Sequence, residues 1–231
     1  MTKAEETSFR GVVARTNYFA TDCAPIQFAT KEVCRDMAKP TVAGHDKMKK
    51  LARYMLHFEA AVFEYPWQDE GETAVKVFTD SDWAGCLRTR RSTSGGAIQL
   101  GSHTLRTWST TQPTVAMSSA EAEYIAMVEG ATRGIGLRTM FGEMGVDVSV
   151  LVVSTDSSAA KSFASQRGLK KMRHIEVKEL WLQEAVCRGK VKILKIGGTK
   201  NPADMFTKYL THAEIERHCG RLGIRVSQPT R

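Results

Sequence analysis

The sequence predicts an α/β fold: a mixed sheet with helices on its faces, preceded by a small helical segment. Three observations point there. Two short apolar runs rich in β-branched residues, AVKVFT (74–79) and SVLVVST (149–155), have the look of sheet strands, and each runs straight into an aspartate, Asp80 and Asp156. Two further runs, GGAIQLG (95–101) and HTLRTWST (103–110), lie close enough to be joined by a tight turn. Stretches with helical spacing then alternate with strand-like ones. The order of three strands, helix, strand, two helices, strand and helix puts helices against a sheet of mixed direction.

The elements follow in order. Residues 5 to about 60 read as helical, through VVARTNYFA, IQFATKEV and KMKKLARYMLHF. In the last of these, Met48, Leu51, Met55 and Phe58 recur at near-helical spacing with lysines opposite. Pro25 and Pro40 punctuate the helices, and PWQDEGET (66–73) reads as a linker. We therefore divide the chain into a helical segment (1–70), an α/β domain (71–211) and a tail (212–231). Residues 118–145 read as a helix interrupted near Gly134 and Gly136, and DSSAAKSFAS as another. The stretch 174–189 is amphipathic, with Ile175, Val177, Leu180, Trp181 and Ala185 on its face. KVKILKIGG (190–198) reads as a strand, and NPADMFTKYL (201–210) as a short final helix with Pro202 in its first turn.

Composition narrows the function. The 231 residues are 42% hydrophobic and 25% charged, which is ordinary for a globular protein. No apolar run approaches the roughly 18 to 20 residues that span a bilayer, so no membrane partner is expected. The first residues, MTKAEETSFR, lack the apolar core of a secretory signal. Five widely spaced cysteines form no C-x-x-C pair, which suits a reducing compartment: intracellular, cytoplasmic or nuclear. The net charge of +8 is uneven. Residues 1–70 hold ten basic and ten acidic side chains; residues 71–231 hold 23 and 15. A basic excess attracts polyanions, nucleic acid first among them, or else serves solubility.

The carboxylates suggest a chemistry. Asp is a poor strand residue, and at a strand end it either starts a turn or caps a helix. Two such ends, with Glu123 on a helix and Asp204 in the last helix, allow four carboxylates to converge. Hard oxygen ligands in that number suit Mg²⁺ or Mn²⁺. Two such ions about 4 Å apart can activate water and stabilise the leaving oxygen of a phosphodiester.

The stretches FTDSDWAGCLRTRRSTSGGAIQLG, TWSTTQPTVAMSSAEAEYIAM, STDSSAAKS, RHIEVKEL and NPADMFTKYL resemble, in that order, the ribonuclease H domain of Ty1/copia-type retrotransposon Pol polyproteins. The likeness covers about residues 72–211. NYFATDCAPIQFAT and KMKKLARYML more loosely resemble the connection that follows the family's reverse transcriptase. The resemblance implies a ribonuclease H-like five-stranded sheet and a two-metal endonuclease that cuts the RNA strand of RNA–DNA hybrids during reverse transcription. It implies 5′-phosphate and 3′-hydroxyl products, and other Pol domains, the reverse transcriptase among them, as partners. By position, Asp80, Glu123, Asp156 and Asp204 match the family's catalytic and metal-binding carboxylates. Asp80 would touch both metals, Glu123 and Asp156 would complete one site, and Asp204 the other. No Y-x-D-D polymerase motif is present.

There are departures. The family often has a second histidine after RHIEV, where this chain has Leu180. Cellular ribonucleases H carry a histidine before the last aspartate, where this chain has IGGTKN, so slower turnover is expected. Arg88, Arg90, Arg91, Lys170, Lys171 and Arg173 are candidates for phosphate contacts, or are solvated loop charges. Ser119 and Ser157, beside the carboxylates, either contact a 2′-hydroxyl or cap helices. Trp83, Trp108 and Trp181 read as core, and His174 as a structural histidine. His212, His218 and Cys219 lack the partners of a zinc site. Two rival readings keep the fold: a degenerate, inactive copy that binds nucleic acid, and an integrase-type nuclease, which the motif order disfavours.

Overall fold

The computed structural model describes residues 1–57, 60–68, 74–169 and 175–227. Three helices come first, α1 (Lys3–Phe19), α2 (Gln27–Cys34) and α3 (Val42–Met55), followed by a short strand, β1 (Ala60–Phe63). Next come β2 (Val75–Asp82), β3 (Thr93–Leu100), β4 (His103–Thr111), the long helix α4 (Ser119–Glu143), β5 (Leu151–Thr155) and α5 (Ser158–Ala164). The chain ends with α6 (Trp181–Cys187), β6 (Lys192–Lys195), α7 (His212–Arg221) and β7 (Ile224–Ser227). Five strands form one sheet in the order β4-β3-β2-β5-β6. β2, β3 and β4 pair antiparallel, while β5 and β6 run parallel to β2. This is the mixed five-stranded sheet with flanking helices that the sequence predicts.

Two apolar layers cover the sheet. On one side Val75, Val77, Ile98, Leu151 and Val153 pack with Tyr124 and Met127 of α4, Phe163 of α5 and Leu182 of α6. On the other, Ala97 meets Met205, Phe206, Cys219, Leu222 and Ala24. The N-terminal helices have a core of their own around Phe9, Val13, Ile26 and Leu51.

Several elements differ from the sequence reading. Helix α4 runs unbroken through Gly134 and Gly136. Its glycines serve packing: a Cβ on Gly130 would lie 2.4 Å from Thr79 Cγ2, and one on Gly134 2.7 Å from Leu151. Without side chains there, the helix lies close on the sheet. The helix expected over 174–189 is α6 alone, after a 3-10 turn at Val177–Glu179. Val177 is 81% exposed, although Ile175 before it and Leu182 after it are both buried, so the 3-10 turn rotates Val177 out of the face that the apolar spacing suggests. Within residues 201–210 only a 3-10 turn forms, Pro202–Phe206, with the Asn201 side chain accepting from the Ala203 N–H. The last helix is α7, in the tail, which opens on a capping box of Thr211 and Glu214. Strand β7 pairs antiparallel with β1, from Ala60 opposite Ser227 to Phe63 opposite Ile224. Trp108 is core, whereas Trp83 is 53% exposed and donates from Nε1 to the Ala116 carbonyl. It lies just past the end of β2, beyond the cover of the sheet layers.

One close approach sets the active face. Gly95 of β3 pairs with Asp80, and a Cβ on it would lie 2.7 Å from both Phe206 Cβ and Thr207 Cγ2. The 3-10 turn thus rests on bare backbone. Gly95→Ala is expected to destabilise the fold by about 1–3 kcal/mol through overpacking. Urea unfolding measures this; an unchanged midpoint would mean that the turn does not bear on β3.

Candidate metal centre

The parallel pairing of β2 with β5 brings two carboxylates together. Phe78 stands opposite Ser154, and two residues further along each strand are Asp80 and Asp156. Both apolar runs therefore end at the same edge of the sheet. Asp204 arrives from the other side, in the 3-10 turn held against Gly95. Each of Asp80, Asp156 and Asp204 offers a carboxylate oxygen, and the three oxygens lie within 4.8 Å of one another. Asp80 is buried, while Asp156 and Asp204 are half-buried.

Of the four carboxylates expected to converge, Glu123 of α4 stands outside this group of three, yet close enough for Asp80 and Asp156 to act on its charge. Its Oε1 accepts hydrogen bonds from the Ser81 N–H (3.1 Å) and the Ser81 hydroxyl (3.0 Å). Its Oε2 is buried and without a hydrogen-bond partner, as is Asp204 Oδ1. Buried oxygens left in this state are costly unless something pairs with them. The Thr207 hydroxyl lies against Asp80 Oδ2 and the Asp204 carbonyl. Lys208 Nζ sits 3.0 Å from Asp204 Oδ2.

The charges oppose one another. Burial first, and then the neighbouring Asp204, push the Asp80 carboxyl up to about 7, although the Thr207 hydroxyl lowers it. Burial, with Asp80 and Asp156 nearby, pushes Glu123 up to about 8. Asp156 is raised by burial and by Asp204. Burial acts to lower the Lys208 ammonium, but Asp80 and Asp204 outweigh it and leave it raised. A set of carboxylates that repel one another, with orphaned oxygens among them, fits a divalent cation.

This has a consequence for stability. A carboxyl whose pKa is higher in the folded state binds more protons folded than unfolded, so its stabilising share is lost as pH rises through the folded value. His218 acts oppositely, because burial lowers its pKa, and from about one unit above its ordinary 6.5 it is neutral in both states. In EDTA, the thermal midpoint is therefore expected to fall from pH 7.5 to pH 8.5. The fall should be shallower in Glu123→Gln, and Mg²⁺ should reverse it at pH 8. Calorimetry checks this; a midpoint that rises with pH in the same way for both proteins would refute the picture.

The remaining candidates lie elsewhere or act locally. Arg88 pairs with Asp36 (3.4 Å) and donates to the Arg35 carbonyl, which ties the β2–β3 loop to the end of α2. Arg90 and Arg91 are exposed in that loop, Arg90 with a positive φ of 56°. Ser119 is exposed in the first turn of α4, after the N-cap Ser118. Ser157 caps α5, its hydroxyl accepting from the Ala160 N–H. Lys170, Lys171, Arg173 and His174 lie outside the described residues. The sequence reading did not single out Ser81, Thr207 and Lys208. Their signal lay in the same motifs: Ser81 follows Asp80, and Lys208 stands four residues after Asp204.

No family model matches the chain. The chain is 34% identical over 143 residues to the retrovirus-related Pol polyprotein from transposon TNT 1-94 of Nicotiana tabacum, covering 62% of this chain and 11% of that protein. It is 23% identical over 230 residues to the Pol polyprotein from transposon RE1 of Arabidopsis thaliana, covering 98% of this chain and 15% of the relative. The solved structure of LC11-RNase H1 in complex with RNA/DNA hybrid aligns at 20% identity and a TM-score of 0.39, over 58% of this chain and 93% of that one. The chain thus spans a small part of the length of the Pol polyproteins that it matches. Its homologues are the retrovirus-related Pol polyproteins of copia-type transposons.

Proposed function

We propose that the chain is a metal-dependent endonuclease that hydrolyses the RNA strand of RNA–DNA hybrids during retrotransposon reverse transcription. The observation that carries this reading is the meeting of Asp80, Asp156 and Asp204 within 4.8 Å, on the sheet edge that Glu123 also faces. Their oxygens would hold Mg²⁺ or Mn²⁺, in the two-ion arrangement that the resemblance implies. Bound there, such ions polarise a phosphodiester and lower the pKa of water. The chain's own groups set the ligands in place. The Thr207 hydroxyl fixes one oxygen of Asp80. Ser81 holds Oε1 of Glu123 and so leaves Oε2 unengaged. Lys208 offsets part of the negative charge at Asp204.

The partners would be an RNA–DNA hybrid and, in an intact element, other Pol domains such as the reverse transcriptase. That process would place the protein inside the cell, in cytoplasm or nucleus. The test is cleavage of an end-labelled RNA–DNA hybrid with Mg²⁺ or Mn²⁺, against EDTA, with duplex DNA as control. RNA-strand cleavage that needs the metal is the expected result. No cleavage with either ion would leave the degenerate copy as the better reading.

A further inference from the structure

A groove of about 520 Å³ runs from Lys208 toward the N-terminal helices, between α2 and α3 on one side and the segment 205–215 on the other. It is continuous with the carboxylate cluster, because Lys208 belongs to both. Its volume is that of a ligand-sized cleft. Among the described residues no acidic side chain lines the groove: its charged side chains are Lys47, Lys50 and Lys208, with His212 beside them. Lys47 lies 3.5 Å from Asp36, outside the lining, and Lys50 is exposed.

An aromatic side chain completes the set. Tyr209 follows Lys208 directly and is 66% exposed. Its ring meets Phe28 edge to face, with centroids 4.9 Å apart. Lys31 sits 4.5 Å from the centre of the Phe28 ring. Phe28 is buried and so gives Tyr209 a fixed support. An exposed, supported aromatic ring in an apolar groove edged by lysines matches what single-stranded nucleic acid requires: a surface for a base to stack on and cations along the backbone.

We propose that this groove binds a single-stranded stretch of nucleic acid that extends from the carboxylate site, with a base stacked on Tyr209 and phosphates beside Lys47 and Lys50. The N-terminal helical segment would then form part of the substrate track. This rests on the nuclease reading for the identity of the strand, but binding can be measured without cleavage.

The probe is a short fluorescein-labelled oligothymidylate, titrated in EDTA and followed by fluorescence anisotropy. Tyr209→Ala is expected to weaken binding roughly 5-fold to 100-fold, the scale of losing one stacked base, and Tyr209→Phe to retain it. Lys50→Glu should weaken binding more than Lys3→Glu, which makes the same charge change on α1 outside the groove, and should flatten the salt dependence. Equal losses from Lys50→Glu and Lys3→Glu would mean that net charge alone attracts the strand, and would overturn the proposal. So would wild-type affinity in Tyr209→Ala, which would leave the groove to a protein partner. Because the assay contains no metal, an inactive catalytic site would leave these outcomes unchanged, whereas a failed groove would leave metal-dependent cleavage of a hybrid in place.

Discussion

Asp80→Asn is expected to abolish hybrid cleavage in a protein that folds as well as, or better than, the wild type. Asp80 is the buried member of the cluster, with Asp204 and Asp156 both acting on its charge. Asparagine keeps the shape, and its carbonyl can still accept from the Thr207 hydroxyl that now faces Asp80 Oδ2. What it loses is the negative charge that a divalent cation needs. The rate should fall by about a hundredfold or more, the scale on which a single electrostatic partner of a phosphoryl or acyl transition state acts. In EDTA the same substitution removes repulsion among buried carboxylates, so the thermal midpoint should rise. The rise brought by Mg²⁺ should shrink at the same time, because a ligand stabilises only what it binds. A near-wild-type rate would remove Asp80 from the site, whatever the midpoint did. Inactivity with a collapsed midpoint would assign Asp80 to folding.

Part of this site was legible in the residues alone. Asp80 and Asp156 stood out because each follows an apolar run, and period-2 strands that end in a turn-forming residue are a local signal. Their nearness is not local: it comes from the parallel register of β2 and β5, 76 positions apart from Phe78 to Ser154. Asp204 had no periodic signal, since a five-residue 3-10 turn is too short to show one. It was found through the motif NPADMFTKYL. The contribution of Lys208 depends on where that turn lands, which Gly95 determines from more than a hundred positions away.

The elements that differ do so for separate physical reasons. Low glycine propensity predicts breaks in α4, but tertiary packing against Thr79 and Leu151 decides there. The pairing of β1 with β7 joins four-residue strands from opposite ends of the chain, and neither strand is long enough to show alternation. The capping box of α7 is a local pattern, Thr211-His212-Ala213-Glu214, carried by the sequence itself.

The two glutamates of SSAEAEY give the sharpest separation of structure from chemistry, and Glu123→Gln is expected to lose most cleavage while Glu121→Gln keeps it. Periodicity does not choose between them, and both are buried. Their partners do. The Ser118-x-x-Glu121 spacing fits a capping box, in which Glu121 would reach back to the N–H of Ser118. In the structure Glu121 Oε2 accepts instead from the N–H of Met117, one residue earlier, at 2.9 Å. Ser118 caps the helix by accepting from the Glu121 N–H. Glutamine has a carbonyl that can take over the Met117 contact, so Glu121→Gln should cost little stability and little rate. Glu123 instead turns toward the carboxylates, which help to raise its pKa, and leaves Oε2 without a protein partner. Glutamine there removes the charge. Cleavage should fall by about a hundredfold or more, and the midpoint in EDTA at pH 8 should hold or rise, because one buried carboxylate no longer has to ionise beside two others. Assays of the two variants on one labelled hybrid, with calorimetry alongside, decide the matter. An inactive Glu121→Gln beside an active Glu123→Gln would reverse the roles assigned to the two.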